Sequence, residues 1–577
     1  MNCSEMESPS NAYALLFKAA TMIPTSHYTL GFLIVFVVFL YNFLEFHLLE
    51  DLFTGFRGSP VSLTYNSCSE IYHGVASKCR ILRGRYLATP WLSSPHFQTT
   101  FLCFFGRPPV VSYRRKSFHA SDGGTIALDW LMSSDVLENA IYKNNSISKD
   151  DTTPIVVVIP GLTSDSADAY IKHLAFNMAK CGWNVVVCNH RGLGGISVTS
   201  DCFYNAGWTE DLREVVDYLH HEYPKAPLFA VGTSIGANIL VKYLGEDGEN
   251  VPVAGAAAIC SPWDLLIGDR FICRRLIQKL YDRALAIGLQ AYAKLHQPLY
   301  SRLADWEGIK KSRSIRDFDN YATCLVGKFE TVDTYYRRCS SSSFVGNVSV
   351  PLLCISALDD PLCTREAIPW DECRANKNII LATTQHGGHL AFFEGVTASG
   401  LWWVRAVFEF LSVLHASPFM HSQKKTENPG PQSSLESSID QGPYLNVTDG
   451  MVAAMGNDLT TNDAVEDLSE VQQIHRRTNE VILDTEQSEL TSEAKSDCTP
   501  NISQTSKQAA SIKDVKSPDL ITPIRRCLDQ LSRQNRKSVW LLAYIAIIST
   551  WPLVGTVLRF VFKGKLRNVL PAKLQKT

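Results

Sequence analysis

The sequence predicts an α/β fold with a mostly parallel central sheet, helices on both faces of the sheet and a helical cap. Short apolar runs typical of buried strands recur through the middle of the chain. They span residues 153–160, 183–188, 227–231, 351–358 and 378–384. An apolar, helix-like segment follows the third run. The insertion at 263–344 carries leucines at helical spacing and is predicted to form the cap.

A serine follows the third apolar run in the pattern Gly232-Thr-Ser-Ile-Gly236. This G-x-S-x-G pattern is typical of a nucleophile elbow, a sharp turn from a strand into a helix that exposes the serine hydroxyl. The two glycines let the strand and helix backbones approach without a side-chain clash. Because the pattern stands between a predicted strand and a predicted helix, it indicates an α/β-hydrolase fold with Ser234 as the nucleophile.

A serine hydroxyl needs a base to take its proton, and in this fold an acid and then a histidine follow the serine along the chain. The fourth apolar run leads into Asp359-Asp-Pro361. The fifth leads into Gln385-His-Gly-Gly-His389. We assign Asp360 as the acid that orients the histidine and His389 as the general base.

Three other residues compete for these roles. Asp359 is the alternative acid and His386 the alternative base. An Asp-Asp-Pro sequence is also typical of a simple turn. His190 precedes the serine in the chain, so we interpret it as a structural turn residue.

Acyl transfer also requires N–H donors for the oxyanion of the tetrahedral intermediate. In this fold one donor is the backbone N–H that follows the nucleophile, here Ile235. The other comes from the polar loop after the first apolar run, where Leu162 is the predicted donor.

Further motifs accompany the candidate triad. They are Pro160-Gly-Leu-Thr163, Asn189-His-Arg-Gly192, Arg316-Asp-Phe-Asp319 and Tyr335-Tyr-Arg-Arg338. In combination, the motifs resemble the type 4 family of the AB-hydrolase superfamily. These are membrane-anchored α/β-hydrolase-domain proteins that include plant embryogenesis-associated-like hydrolases and animal acylglycerol and phospholipid lipases.

The resemblance covers about Ser94 to Ala416. It implies hydrolysis of carboxylic esters, with lipid esters as the expected substrates, and it implies neither a metal nor an organic cofactor. The long polar segment after residue 416 and the apolar stretch beyond it depart from the family pattern.

A membrane anchor is predicted at residues 28–44, an almost unbroken apolar stretch. Its length reaches the lower limit of about 17 residues for a spanning helix. No small-residue cleavage site follows it, so the anchor is expected to remain uncleaved. An N-terminal tail at 1–27 precedes the anchor, a juxtamembrane region at 45–93 follows it, and the hydrolase domain is placed at 94–415.

Two further segments are predicted after the hydrolase domain. Residues 416–532 are rich in polar residues and poor in aromatics, and we expect a disordered linker. Residues 539–562 contain a second apolar stretch with basic residues on both sides, so the positive-inside rule does not orient it as a single span. A hairpin centred on Pro552 or an interfacial helix would place both basic flanks on one anionic surface.

Composition limits the remaining classes of function. The formal net charge of −2 gives no reason to expect nucleic-acid binding. The 16 cysteines show no metal-ligand spacing, and several, such as Cys188, Cys260 and Cys354, lie in or beside predicted strands. This placement favours buried, reduced thiols over a disulfide framework.

The function expected from the sequence is that of a membrane-bound serine hydrolase that cleaves lipid esters through an acyl-enzyme. The alternatives are an acyltransferase that uses the same triad and a non-catalytic membrane scaffold. The expected location is integral to the endoplasmic reticulum membrane, with other organelle membranes as alternatives. Membrane lipids are the expected partners, and the sequence identifies no protein partner.

Overall fold

The structure is a computed structural model that describes residues 21–136 and 147–423 and the paired segments 446–448 and 451–453. All of these residues belong to one structural unit, Met1–Leu459. The segment at 539–562, predicted as a C-terminal membrane segment or hairpin, lies outside the described residues. The predicted linker at 416–532 also lies outside them, except for residues 416–423 and the two paired segments.

The centre of the unit is a nine-stranded sheet. Its strands are β1 (Ser62–Thr64), β2 (Arg114–His119), β3 (Thr125–Leu131), β4 (Ile155–Ile159), β5 (Asn184–Cys188), β6 (Leu228–Thr233), β7 (Val253–Ile259), β8 (Leu352–Ala357) and β9 (Ile379–Thr384). They lie side by side in the order β1-β9-β8-β7-β6-β4-β5-β3-β2. Strands β4 to β9 run parallel, whereas β1 pairs antiparallel with β9, β3 with β5 and β2 with β3. The predicted mostly parallel sheet is confirmed.

Every residue of strands β4 to β9 is buried. A parallel sheet covered on both faces needs apolar side chains at successive positions, because alternate residues point to opposite faces and neither face meets water. This burial explains why the strands read in the sequence as continuous apolar runs.

The α-helices of the described residues cover both faces of the sheet, form the cap or precede the sheet in the chain. They are α1 (Thr25–Phe43), α2 (Leu48–Phe53), α3 (Glu70–Gly74), α4 (Pro95–Phe104), α5 (Ser133–Val136), α6 (Ala169–Lys180), α7 (Glu210–Glu222), α8 (Ile235–Asp247), α9 (Leu265–Ile272), α10 (Leu276–Leu295), α11 (Gln297–Leu303), α12 (Trp306–Lys311), α13 (Ile315–Phe318), α14 (Cys324–Val326), α15 (Val332–Cys339), α16 (Trp370–Ala375) and α17 (Trp402–His415). On one face of the sheet, residues of α6 and α17 belong to the same apolar cluster as Val156 and Val158 of β4. On the other face, residues of α7, α8 and α16 belong to the same apolar cluster as Ile155, Val157 and Ile159 of that strand.

The folded unit begins before residue 94, the predicted start of the hydrolase domain. Strand β1 extends the sheet beyond β9, and Val75, Cys79 and Leu82 are fully buried in the core. Residues 59–93, predicted as part of a juxtamembrane region, therefore contribute to the core. Beyond residue 415, the predicted end of the hydrolase domain, the chain still contacts the folded unit. The His421 N–H donates to the Ala254 carbonyl oxygen at 2.9 Å.

Helices α9 to α15 occupy the insertion between β7 and β8, where the cap was predicted. Arg316 joins three of them. Arg316 lies on α13, and its guanidinium donates to Asp269 of α9 at 2.7 Å and to Asp333 of α15. The cap is also attached to the helix after Ser234, because Asn238 of α8 donates to the Cys339 carbonyl oxygen and accepts from the Ser341 N–H.

Helix α1 coincides with the predicted anchor. It has 19 residues, and none of them is buried. At 1.5 Å per residue it is about 28 Å long, close to the roughly 30 Å hydrocarbon core of a bilayer. Among the described residues, it is the single helix that is long and apolar enough to cross a membrane.

The cysteines of the described residues are free thiols. Cys188 lies in β5, Cys354 in β8 and Cys260 directly after β7, and all three are buried. The burial of these three cysteines agrees with their predicted place in or beside strands, whereas Cys68, Cys103, Cys181 and Cys273 are exposed.

Candidate active site

Ser234 occupies a tight turn between β6 and α8. Its backbone has φ 53° and ψ −120°, a conformation that non-glycine residues rarely adopt and that costs about 1–3 kcal/mol. A Cβ atom added to Gly232 would lie 2.5 Å from the Gly236 carbonyl oxygen, and one added to Gly236 would overlap the end of β4. The two glycines thus permit the close approach of β4, β6 and α8 that holds Ser234 at the wall of a cavity.

The structure brings together the three residues predicted as a triad. His389 Nε2 lies 3.0 Å from Ser234 Oγ, and His389 Nδ1 lies 2.9 Å from Asp360 Oδ2. A carboxylate only accepts hydrogen bonds, so Nδ1 carries the proton and Nε2 is free to accept one from the serine. The Asp360 side chain is 2% exposed, and its Oδ1 also accepts the backbone N–H groups of Leu362 and Cys363.

Helix α4 holds the loop that carries His389. The Thr99 hydroxyl accepts the His389 backbone N–H at 3.0 Å and donates to the Pro95 carbonyl oxygen. Gly388 has φ +60°, and a Cβ added there would lie 2.8 Å from both Thr99 Oγ1 and the Pro95 oxygen. The position of His389 therefore depends on α4, a role that no motif in the sequence indicated.

Asp359 and His386, the alternative acid and base, form a separate pair. His386 Nδ1 lies 3.3 Å from Asp359 Oδ2, and the other carboxylate oxygen accepts the Gly388 N–H at 3.0 Å. The His386 ring stacks on the His47 ring with 3.6 Å between centroids, and His47 Nδ1 lies 2.7 Å from Asp51 Oδ2. This pair connects the segment after α1 to the loop of His389 and makes no hydrogen bond to Ser234 within the described residues.

The two stacked histidines have opposite tendencies to bind a proton. Burial, together with the positive charge of His386, lowers the pKa of His47 to about 4. Burial also acts to lower the pKa of His386, but its hydrogen bond to Asp359 and the charge of that carboxylate raise it above the ordinary value. Of the two stacked rings, His386 therefore binds a proton more readily than His47.

Leu162 lies in the loop after β4 with an uncommitted backbone N–H. The N–H groups on either side of it are used, because Gly161 donates to Tyr170 Oη at 3.0 Å and Thr163 donates to Tyr204 Oη at 3.1 Å. The Leu162 N–H donates no hydrogen bond to any described residue. Two tyrosines thus fix the loop while its central N–H remains available.

Ile235 supplies the second predicted donor at the first position of α8. Its N–H likewise has no acceptor among the described residues, as is usual for the first turn of a helix. The two donors lie on neighbouring segments, since a Cβ added to Gly161 would come within 3.4 Å of Ser234 Cβ. Leu162 and Ile235 both line the same cavity as Ser234.

His190 is buried in the turn after β5. Its Nε2 lies 3.0 Å from the Pro160 carbonyl oxygen, and its ring stacks on Tyr204. Burial lowers the pKa of His190 to about 4, so the ring is neutral at physiological pH. The neighbouring Arg191 is also buried and donates to Asp211 at 2.8 Å. These contacts give the motif around His190 a role in fixing the turn.

A cavity of about 770 Å³ lies in front of Ser234. Its walls are mostly apolar and come from α4 and from the cap. The cap residues that line it include Leu265, Ile272, Ile277, Leu280, Leu285, Leu289 and Phe318. The leucines whose helical spacing predicted the cap are Leu276, Leu280, Leu285 and Leu289. The last three line this cavity, whereas Leu276 is exposed.

One set of three potential metal ligands occurs among the described residues. The ligand atoms of Cys260, Asp360 and His389 lie within 4.8 Å of one another. Both ring nitrogens of His389 already have hydrogen-bond partners in Ser234 and Asp360. Two of the three candidate ligands, Asp360 and His389, are therefore members of the hydrogen-bonded triad.

Asp319 is a buried carboxyl group in the cavity wall. It lies on a π-helical turn, Asp319–Thr323, and accepts hydrogen bonds from Tyr336 Oη at 2.8 Å and from Thr323 Oγ1 at 2.6 Å. Burial raises the pKa of Asp319 to about 6, although the two hydrogen bonds act to lower it. The motif Arg316-Asp-Phe-Asp319 is thus joined to the helix that carries Tyr336 by hydrogen bonds inside the cap.

Replacing Asp319 with Asn should stabilise the protein at alkaline pH. The folded state binds the carboxyl proton more tightly than the unfolded chain, so ionisation weakens the fold as pH rises from about 4 through 6. The shift corresponds to about 3 kcal/mol above pH 7, and Asn avoids this cost while it can still accept the Tyr336 hydrogen bond. Thermal unfolding should show a higher Tm for Asp319→Asn than for the wild type at pH 8 and no such gain at pH 4.

Asp333→Asn is the matched control, because Asp333 is exposed and its hydrogen bond to Arg316 lowers its pKa. This variant should gain no stability as pH rises. An equal change of Tm in Asp319→Asn at pH 8 and at pH 4 would contradict the prediction that Asp319 loses its proton between these two pH values.

Comparison with known proteins agrees with the fold. The model of the alpha/beta hydrolase fold family matches residues 154–396. Embryogenesis-associated protein EMB8 of Picea glauca is 36% identical over 356 residues, which cover 61% of this chain and 77% of EMB8. Phospholipase ABHD3 of Mus musculus is 33% identical over 318 residues, covering 55% of this chain and 75% of ABHD3.

A third relative, the monoacylglycerol lipase of Saccharomyces cerevisiae, is 27% identical over 276 residues, covering 47% of this chain and 61% of the lipase. The sheet, the turn at Ser234 and the similarity to these relatives agree. The chain belongs to the α/β-hydrolase family, in the group represented by EMB8 and ABHD3. The family relationship supports a hydrolase, and it confirms the resemblance drawn from the motifs.

Proposed function

We propose that this protein is a membrane-bound serine hydrolase that cleaves carboxylic esters of lipids through an acyl-enzyme on Ser234. The observation that carries the proposal is the continuous hydrogen-bonded series of Ser234, His389 and Asp360 at the wall of a large apolar cavity. Relatives named as a phospholipase and a monoacylglycerol lipase support lipid esters as the substrate class.

The first step is attack of Ser234 Oγ on the ester carbonyl carbon. As the new C–O bond forms, the hydroxyl proton moves to His389 Nε2, which lies 3.0 Å away. Asp360 keeps the histidine in the required tautomer and stabilises the imidazolium that results. Because Asp360 is held by two backbone N–H groups, the histidine ring does not need to reorient during this transfer.

The negative charge that develops on the carbonyl oxygen needs fixed donors. The N–H groups of Leu162 and Ile235 are available for this purpose and line the same cavity. Loss of one oxyanion donor costs about 10²–10³ in kcat in a well-studied protease. We propose that these two backbone groups stabilise the oxyanion here.

The tetrahedral intermediate then collapses. The bond to the leaving alcohol breaks, and the alkoxide takes the proton from His389 Nε2, leaving the acyl group on Ser234. A water molecule attacks the acyl carbon while His389 accepts its proton, and return of that proton to Ser234 Oγ releases the carboxylic acid. The same intermediate would transfer its acyl group to an alcohol if the alcohol replaced the water.

The cavity favours substrates with an apolar chain. Its volume lies in the range of about 300–1,000 Å³ that is typical of ligand pockets. Each methylene group removed from water contributes about 0.8 kcal/mol. Helix α1 provides the proposed membrane anchor, and the endoplasmic reticulum remains the expected location.

The experiment uses the full chain in vesicles that contain a monoacylglycerol or a phospholipid ester, in water enriched in ¹⁸O. We expect release of fatty acid with one ¹⁸O atom per turnover, detected by mass spectrometry. Transfer of the acyl group to added ethanol or glycerol would appear as a new ester and would favour the acyltransferase. Failure to convert either ester in any of these reactions would overturn the proposal and favour a non-catalytic scaffold.

A further inference from the structure

The cavity opens beside the end of helix α1. Three large apolar residues both line the cavity and are exposed at the surface, namely Phe97 (42% exposed), Phe104 (78%) and Leu280 (63%). Leu44, the residue that follows α1, lines the same cavity and is partly exposed. We call these four residues the rim.

The rim is held in a fixed position relative to the end of α1. The Ser94 hydroxyl donates to the Leu44 carbonyl oxygen, and the His47 N–H donates to the Ser93 carbonyl oxygen at 2.9 Å. Phe46 packs edge-on against Phe97 with 5.0 Å between ring centroids. These contacts join the segment after α1 to helix α4, which forms one side of the rim.

The other side of the rim belongs to the cap and is attached to the same segment. Arg275, at the start of α10, donates to Glu45 at 3.2 Å. Across the cavity, Tyr281 of α10 lies within hydrogen-bonding distance of His96 of α4, at 3.2 Å. Helices α4 and α10 therefore meet where the membrane-length helix ends.

The surface near the rim carries exposed apolar side chains beside the Arg275–Glu45 ion pair. Exposed large apolar side chains on neighbouring segments are Leu49, Leu52 and Phe53 of α2, Phe105 after α4 and Leu276 of α10. Exposed apolar side chains that cluster in this way are typical of surfaces that contact a partner or a membrane. Helix α1 itself has no buried residue, and Leu44 of the rim directly follows it in the chain.

We propose that the rim lies in the surface layer of the bilayer that holds α1, and that lipid substrates enter the cavity sideways from that leaflet. The inference rests on the proposed function, because it takes a lipid ester as the substrate. Passage through water would expose the whole acyl chain at about 0.8 kcal/mol per methylene group. A lipid that enters between Leu44, Phe104 and Leu280 keeps its chain against apolar surfaces throughout.

The position of the rim can be tested without any enzymatic activity. The photoreactive residue p-benzoylphenylalanine is placed at position 280 or at position 295 of the full chain in phosphatidylcholine vesicles that contain an alkyne-bearing phosphatidylcholine. Both positions lie on α10, and Leu295 is 73% exposed but does not line the cavity. They are 15 residues apart, or about 22 Å along the helix.

We expect irradiation to attach the alkyne-bearing lipid at position 280, with little attachment at position 295. Equal attachment at the two positions, or none at position 280, would overturn the proposal. Because the readout is a covalent lipid adduct, it is independent of whether the protein hydrolyses esters.

A kinetic measurement tests lipid entry. Leu280→Ser should lower the ratio of the hydrolysis rate of a vesicle-embedded ester to that of a short, water-soluble ester by about tenfold, the equivalent of about 1.4 kcal/mol. Leu295→Ser should leave this ratio unchanged. An unchanged ratio in Leu280→Ser would contradict entry from the bilayer, whereas hydrolysis of neither ester by the wild type would instead contradict the proposed function.

Discussion

Ser234→Ala should abolish ester hydrolysis and labelling by a fluorophosphonate probe. The single oxygen removed by this change is the atom that would bond to the substrate carbonyl carbon or to the probe phosphorus. Removal of the corresponding serine in a subtilisin lowers kcat by about 10⁶. The fold should persist, because Ala fits the space of Ser and the backbone turn depends on Gly232 and Gly236. Probe labelling and fatty acid release measure the loss, and circular dichroism checks the fold.

Ser164→Ala is the matched control for this change. Ser164 lines the same cavity as Ser234, in the loop after β4, but makes no hydrogen bond to a histidine among the described residues. The Ser164→Ala protein should still be labelled at Ser234. Labelling of Ser234→Ala at the wild-type level would place the nucleophile on another residue.

Asp360→Asn should lower kcat by about 10⁴, by analogy with the corresponding change in a serine protease. Asn keeps the shape of Asp and can still accept the N–H groups of Leu362 and Cys363. Its amide can present an N–H group to His389 Nδ1, which stabilises the tautomer with the proton on Nε2. In that tautomer His389 has no lone pair available for the proton of Ser234. Steady-state hydrolysis of a water-soluble ester measures the effect.

The adjacent Asp359 provides the comparison. Asp359→Asn changes a carboxylate that contacts His386 and the Gly388 N–H and makes no hydrogen bond to His389 among the described residues. We expect a much smaller loss of kcat, because only the position of the loop depends on this contact. A larger loss in Asp359→Asn than in Asp360→Asn would reassign the acid.

The parallel part of the sheet could be predicted because its strands are buried on both faces. Two-sided burial leaves continuous apolar runs, such as Ile155–Ile159 and Leu352–Ala357, that stand out in the sequence. The candidate triad could be predicted for a related reason. Its members follow the carboxyl ends of β6, β8 and β9, and these ends meet at one edge of a parallel sheet.

Other parts of the structure leave no local signal. Strand β1 has three residues and carries no apolar run, so its place beside β9 depends on pairing over a long distance in the chain. The hydrogen bond of Thr99 to His389 and the stack of His47 on His386 also join residues that are far apart in sequence. Such contacts arise from tertiary packing, which spacing and composition do not encode.

The most direct measurement is to identify the residue that carries the acyl group during turnover. The full chain is mixed with a lipid ester, quenched with acid within the first turnover and digested, and the peptides are analysed by mass spectrometry. We expect the peptide containing Ser234 to gain the mass of the acyl group and this adduct to disappear as the fatty acid is released. Turnover with the acyl group on another residue, or with no acylated peptide at any time, would contradict an acyl-enzyme on Ser234.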